Sequence, residues 1–226
     1  MAPDRSDPPP LTVHDLRRRW KPRLAGSPRH EPLRIRLHRA CSWLQRVEEL
    51  PAGDFLDAEL IFRWIAIGSL YGRWDTEARQ PLGERDSLAG FLDRIIDLDA
   101  NGAVTHVLEE HRKLVMSIFD DAYLTRYFWE DPTDDRARKT RKTKFDARTW
   151  YQQHNYKLIL DRLMERIYLL RCQLVHGGAT SGGRLNRTVV RRCSTMLGHL
   201  LPAILLVIID HGHDEDWGPL CYPPTG

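Results

Sequence analysis

No two cysteines in this chain stand in the CxxC spacing of a zinc ribbon or a redox pair. The four present, Cys41, Cys172, Cys193 and Cys221, are widely dispersed, which argues against a structural zinc site and for reduced thiols in a cytoplasmic protein. No apolar run has the length of a membrane span. The strongest, Leu201 to Ile209, is too short to cross a bilayer and reads as a buried core helix, so no membrane partner is expected. The opening MAPDRSDPPPLTVHD lacks an apolar core before a cleavage site and does not read as a signal peptide. Internal repeats are absent, and no alternating strand pattern rises above the helical one. Gly-rich ATSGGR has neither a preceding strand nor a GK[ST] ending, which excludes a phosphate loop. Charge of one sign is also in short supply: the formal net charge is +3, which tolerates a polyanionic ligand without demanding one.

What is there is helical periodicity. The 226 residues, 42% hydrophobic and 29% charged, suit one globular domain. Apolar residues recur at three- and four-residue steps over Leu33–Leu50, from an Asp54 N-cap to Leu70, from Ser87 to Ile96, over Ala103–Phe119, over Trp150–His176, and from Asn186 to Ile209, where Pro202 marks a kink or a new start. The pattern predicts an all-α bundle of about five to seven helices. Residues 1–32 read as a Pro- and Arg-rich tail or strap, with a short helix over Val13–Trp20 as one option. Residues 33–212 read as the bundle and 213–226 as a tail.

Metal-ligating side chains do not gather. His106 and Glu110 share a helix face, but no third ligand is near in sequence, so a solvent-facing pair is the expectation. Asp210, His211, His213, Asp214 and Cys221 lack zinc spacing. No metal and no cofactor are expected.

Cations do gather. Arg17, Arg18, Arg19, Lys21 and Arg23 surround Trp20, either as a solvated face or as a phosphate grip. Residues 131–148 form a basic loop in this reading, and its Arg136, Arg138, Lys139, Arg141, Lys142 and Lys144 are the candidate RNA-binding residues, a solvated loop being the alternative. The segment after it, Trp150 to His176, reads as one long amphipathic helix of about seven turns stopped by Gly177-Gly178, and is the stretch around which the chain is organised. Near its end stand Arg171, Cys172 and His176. Five residues at about 100° each turn through roughly 140°, so Arg171 and His176 do not stack on one face and need a partner surface to converge. The plainer alternative makes them cations placed by the helix dipole.

The segment RIYLLRCQLVHGG resembles the signature of the HEPN superfamily, an Arg and then a His near the end of a long helix, and with the upstream AELIFRWIAIGSLYG it is most similar to the ApeA-like branch. The resemblance covers Leu33 to about Ile209. It implies a HEPN-like helical bundle, usually dimeric, and in active members a metal-independent RNA endonuclease of toxin or antiphage defence systems whose products carry 2′,3′-cyclic phosphate ends. Arg171 and His176 match the motif positions. The residue after the arginine, usually Asn, Asp or His in active members, is Cys172 here, in the place of an orienting polar group. The partners implied are RNA, a second copy docked through the motif helix, and an antitoxin or other defence-system subunit. The alternative is a non-catalytic RNA-binding or scaffold module of such an assembly.

Overall fold

Helix α1 (Val13–Arg23) begins where Thr12 and Asp15 cap each other, the Thr12 hydroxyl accepting from the Asp15 N–H while the Asp15 carboxylate accepts from the Thr12 N–H. After a 3₁₀ turn at Pro28–His30 come α2 (Glu31–Glu48) and α3 (Leu56–Tyr71), which pack on each other more extensively than any other pair. A two-residue hairpin, Trp74–Asp75 against Gln80–Pro81, leads to α4 (Glu84–Leu98). Gly102, at φ 68°, opens α5 (Ala103–Glu110), whose first amides donate to the Asp99 carboxylate. Then follow α6 (Arg112–Phe119), a 3₁₀ turn at Ala122–Leu124, α7 (Asp134–Gln152), α8 (Tyr156–Val175) and α9 (Arg187–His211). The computed structural model describes residues 11–51, 53–125, 134–183 and 186–223, with the backbone alone for 134–141. The fold is all-α, with nine α-helices among the described residues.

The core is built on α9, which packs against α1, α3, α4, α5 and α6. Fourteen of its residues are buried, among them Leu197, Leu200, Leu201, Ile204, Leu205 and Ile208, and Pro202 sits inside a helix that continues past it. By length and apolarity α9 meets the criterion for crossing a membrane, but most of that stretch is buried against the protein. The centre of the bundle is thus α9, not the Trp150–His176 segment. That segment is two helices. His154 adopts a left-handed φ of 53°, and the Asn155 side chain accepts from the Leu158 N–H to start α8.

Two further boundaries differ from the sequence reading. His111 separates α5 from α6 where one helix is expected. The basic stretch 131–148 is helical from Asp134 instead of a loop, because α7 is anchored at its far end by buried Ala147 and Tyr151, the Tyr151 hydroxyl donating to the Leu108 carbonyl. Helices α1 and α7, together with the break at His111, raise the six apolar stripes of the sequence to nine helices among the described residues.

The described parts of both end segments pack on the bundle. Val13, Leu16, Trp20 and Leu24 join the core, and most of the basic residues beside them are spent locally: Arg19 and Arg23 pair with Asp210, Arg18 lies 3.9 Å from Asp15, and Arg17 donates to Gln45. Residues Asp7 to Pro10 lie outside the described residues. At the other end, Trp217 is buried against Phe91, and the strap after it is stitched to α2 by Arg36. That guanidinium is 1% exposed and donates to the carbonyls of Leu70, Gly72, Trp217, Gly218 and Pro219. Burial lowers its pKa to about 10, which leaves it charged at neutral pH.

The imidazoles of His111 and His199 stack with centroids 3.7 Å apart and planes 21° apart. Burial, then the His111 ring beside it, lowers the His199 pKa, with Arg63 acting in the same direction and Glu110 against it. A histidine whose folded pKa lies below its unfolded value contributes stability that is present at neutral pH and is lost as pH falls through the unfolded value of about 6.5. Melting curves between about pH 7 and pH 5 should therefore fall more steeply for the wild type than for His199→Gln. Parallel curves would remove the stack as the cause.

Candidate functional site

Helix α8 turns its inner face, Ile159, Leu160, Leu163, Ile167 and Leu170, into the core. Its buried cation Arg166 donates to the Leu124 carbonyl at 2.7 Å and the Thr143 hydroxyl at 3.1 Å, which fixes the 3₁₀ turn and α7 against it. The helix stops in a Schellman arrangement: Gly177, at φ 73°, donates to the Leu174 carbonyl and Gly178 to the Gln173 carbonyl. His176 is the C-cap residue, so its imidazole stands at the negative end of the helix dipole.

One turn earlier, Arg171 faces α4. Its guanidinium is held by the Glu84 carboxylate and lies 5.4 Å from the ring centre of Trp64 and 5.2 Å from that of Tyr168. The same Glu84 oxygen accepts from the Trp64 indole at 3.1 Å and the Tyr71 hydroxyl at 3.0 Å. Glu84 is the first residue of α4, where the dipole favours an anion. Burial opposes the charge on Arg171, but the Glu84 carboxylate outweighs it and the pKa rises. Burial, then the same carboxylate, also raises the pKa of Tyr71 and keeps it a neutral donor. Cys172 is half-buried, its Sγ 3.8 Å from an Arg171 nitrogen.

The structure brings Arg171 and Cys172 together with Glu84, Tyr71, Trp64 and Tyr168. It does not bring Arg171 to His176 within one chain: His176 is exposed, and among the described residues its side chain has no hydrogen-bond or ion-pair partner. This is the divergence that the five-residue spacing predicts. Glu84 is the residue that sequence reasoning missed. It precedes the helix that the apolar spacing starts at Ser87, and its partner is 87 residues away.

Beside His176 lies an apolar groove of about 280 Å³ between α3 and the end of α8, lined by Ala58, Ile61, Phe62, Leu174 and Val175. Val175 is 56% exposed and the neighbouring α3 N-cap Phe55 is 49% exposed. Asp57 pins the glycine-rich segment over this groove, accepting from the Gly182 N–H and from Arg187 at 2.9 Å each.

Of the candidate RNA-binding residues, Lys142 is exposed and Lys144 pairs with Asp120 at 2.6 Å. Arg136, Arg138, Lys139 and Arg141 belong to α7, but their side chains lie outside the described residues. Arg63 of α3 pairs with Glu59 at 2.8 Å and donates to Ser194 of α9. His106 and Glu110 form an exposed pair at 3.6 Å. Among the described residues no three His, Cys, Asp or Glu side chains converge as metal ligands. His211 meets Asn101, His213 meets Asp214, and Asp210 is taken by the α1 arginines.

Neither a protein family, a curated protein nor a solved structure matches this chain.

Proposed function

We propose that this protein is a metal-independent RNA endonuclease of the toxin or antiphage-defence type, a HEPN-like bundle working as a homodimer. The observation that carries the reading is the end of α8: a charged, oriented arginine and, one turn on, an exposed histidine at the helix stop beside an exposed apolar groove. A two-fold contact through Val175 and Phe62 sets each motif opposite its copy, so that His176 of one chain and Arg171 of the other face one phosphate. RNA carries its own nucleophile. His176 takes the 2′-hydroxyl proton as the 2′-oxygen bonds to phosphorus, and Arg171 stabilises the charge on the pentavalent phosphate. The bond from phosphorus to the 5′-oxygen then breaks, and that oxygen leaves as a hydroxyl with a proton from the second imidazole. The products are a 2′,3′-cyclic phosphate and a 5′-hydroxyl. The test is incubation with RNA in EDTA, with end-group analysis of the fragments. No cleavage of any RNA, alone or with its defence-system partner, sinks the enzyme reading.

One observation favours a second reading. The Arg171 guanidinium is committed to Glu84 and to two rings, as suits a residue that holds helices together. The bundle then serves as an RNA-binding or dimerising module of a larger defence assembly, in which cations on α7 touch the RNA backbone. Changing Arg138, Lys139, Arg141 and Lys142 to glutamine should weaken binding to unrelated RNAs about equally and flatten the salt dependence by roughly one unit of log–log slope for each phosphate no longer neutralised. An unchanged slope makes α7 a solvated helix.

A further inference from the structure

A second groove, of about 300 Å³, runs between α4 and α8 on the face that leads to Arg171. Its volume is at the small end of the range for ligand sites and suits one nucleotide-sized occupant. Leu88, Leu92 and Met164 give it an apolar floor, and charged residues rim it. Most of the charges around it are matched: Arg162 pairs with Glu165 at 2.9 Å, and Lys157 with Asp93 at 2.9 Å. Two are not. Asp161 is half-buried, and among the described residues its carboxylate has no hydrogen-bond or ion-pair partner. Burial, then Asp93, raises its pKa against the opposing pull of Lys157 and Arg162, both of which are paired with other carboxylates. Arg85 lies 5.1 Å from the Tyr168 ring centre and hydrogen-bonds the Tyr168 side chain, but it has no carboxylate partner among the described residues.

These two unmatched groups define a ligand. Asp161 and Tyr168 are seven residues apart on α8, two turns along one face, or about 10 Å. A nucleoside monophosphate has that reach from the pairing edge of its base to its phosphate. A half-buried carboxylate without a partner wants donors, and guanine alone among the RNA bases offers two adjacent N–H groups, at N1 and at its amino nitrogen. Adenine and cytosine offer an amino group, and uracil a single imide N–H. The guanidinium at the other end wants an anion. We propose that this groove binds one guanosine monophosphate unit, the Asp161 carboxylate accepting from the guanine edge, the apolar floor covering the base and Arg85 holding the phosphate. In RNA, a guanylate bound this way would put its phosphate beside Arg171, three residues beyond Tyr168. The inference rests on the RNA reading only for the source of the nucleotide.

Calorimetric titration of the full chain with 5′-GMP, 5′-AMP, 5′-IMP and guanosine tests it. GMP should bind about tenfold or more tightly than AMP, and IMP, which lacks the amino group, should fall between them. Guanosine should bind more weakly than GMP. Asp161→Asn should abolish the preference for GMP over AMP, and Arg85→Gln should abolish the preference for GMP over guanosine. Melting temperatures should move little, since neither side chain has an ion-pair partner to lose and Arg85 gives up only its exposed contact with Tyr168. Equal affinities for GMP and AMP, no heat with millimolar GMP, or an intact preference in Asp161→Asn would each overturn the site. Short RNAs with one G against the same RNAs with A identify the source. A G preference that Asp161→Asn removes supports a chain-borne guanylate, while GMP binding without that preference supports the site and overturns RNA as its source. His176→Ala must still bind GMP, so a failure of cleavage and a failure of this site are separate results.

Discussion

His176→Ala is expected to lose RNA cleavage in EDTA by about 10²- to 10⁴-fold while melting at the wild-type temperature. The two halves of this result have separate physical origins. In the proposed mechanism the loss follows from removing the group that exchanges a proton with the 2′- and 5′-oxygens. The unchanged melting temperature follows from exposure: the imidazole is a helix-end side chain without a described partner, and the backbone stop at Gly177 and Gly178 does not depend on it. Arg171→Ala should behave differently and lose both. Its removal leaves the Glu84 carboxylate with only the Trp64 and Tyr71 donors, and empties the space beside two rings. Buried pairs lose about 3–5 kcal/mol on losing one partner and surface pairs about 0–1. Arg171 is 16% and Glu84 33% exposed at the side chain, so a loss of about 2 kcal/mol fits the site. Full cleavage by His176→Ala would take the residue out of the site. A wild-type melting temperature for Arg171→Ala would show that the Glu84 pairing contributes nothing to the fold, and would weaken the scaffold reading.

The second large effect concerns Arg36, far from the motif. Arg36→Met keeps much of the side chain's volume and removes the guanidinium donors to the carbonyls of Leu70, Gly72, Trp217, Gly218 and Pro219, of which Pro219 alone keeps another donor, the Trp74 N–H at 3.2 Å. Each buried carbonyl left without a partner costs about 1–3 kcal/mol, and relief from burying a charge returns part of the sum. A net loss of about 3 kcal/mol is expected, a large share of the roughly 5–15 kcal/mol that holds a domain together. For a chain of this size that lowers the melting temperature by about 6–12 °C. Limited proteolysis should cut first after residue 212, because Trp217 and the strap behind it lose their anchor to α2. A variant that melts within about 1 °C of wild type would mean that water satisfies those carbonyls.

The sequence made the helices legible wherever an apolar stripe was long. Residues 31–48, 56–71 and 187–211 were foreseen to within a few positions, because their buried faces repeat at helical spacing. The break at His154 was not seen, although the polar run Gln152–Asn155 was its signal, because the apolar pattern resumes in nearly the same phase at Tyr156. Helix α7 was missed for the opposite reason: six cations and no apolar stripe fill the sequence from Arg136 to Lys144, and among the described residues its buried anchors come only at Ala147 and Tyr151. At the site, Arg171, Cys172 and His176 could be read because they are neighbours along one helix. Glu84 could not, since the fold alone brings the start of α4 to the end of α8. The exposed groove between Phe62 and Val175 was hidden in the same way, as two helices each donate half of it.

Arg36 also sets an order of events during synthesis. Its carbonyl partners at Trp217, Gly218 and Pro219 follow it by 181 to 183 residues. At about 5–20 residues per second, roughly 9–36 s pass between the appearance of the guanidinium and that of the groups that complete its shell. Throughout that interval the α2–α3 pair, whose packing is the most extensive in the bundle, can bury Arg36 only with part of its donors unmet, or leave it facing water. Helices α2 and α3, made long before the strap, are therefore among the last to reach their final packing, and the arginine acts as a latch that closes only when residues 217–219 arrive.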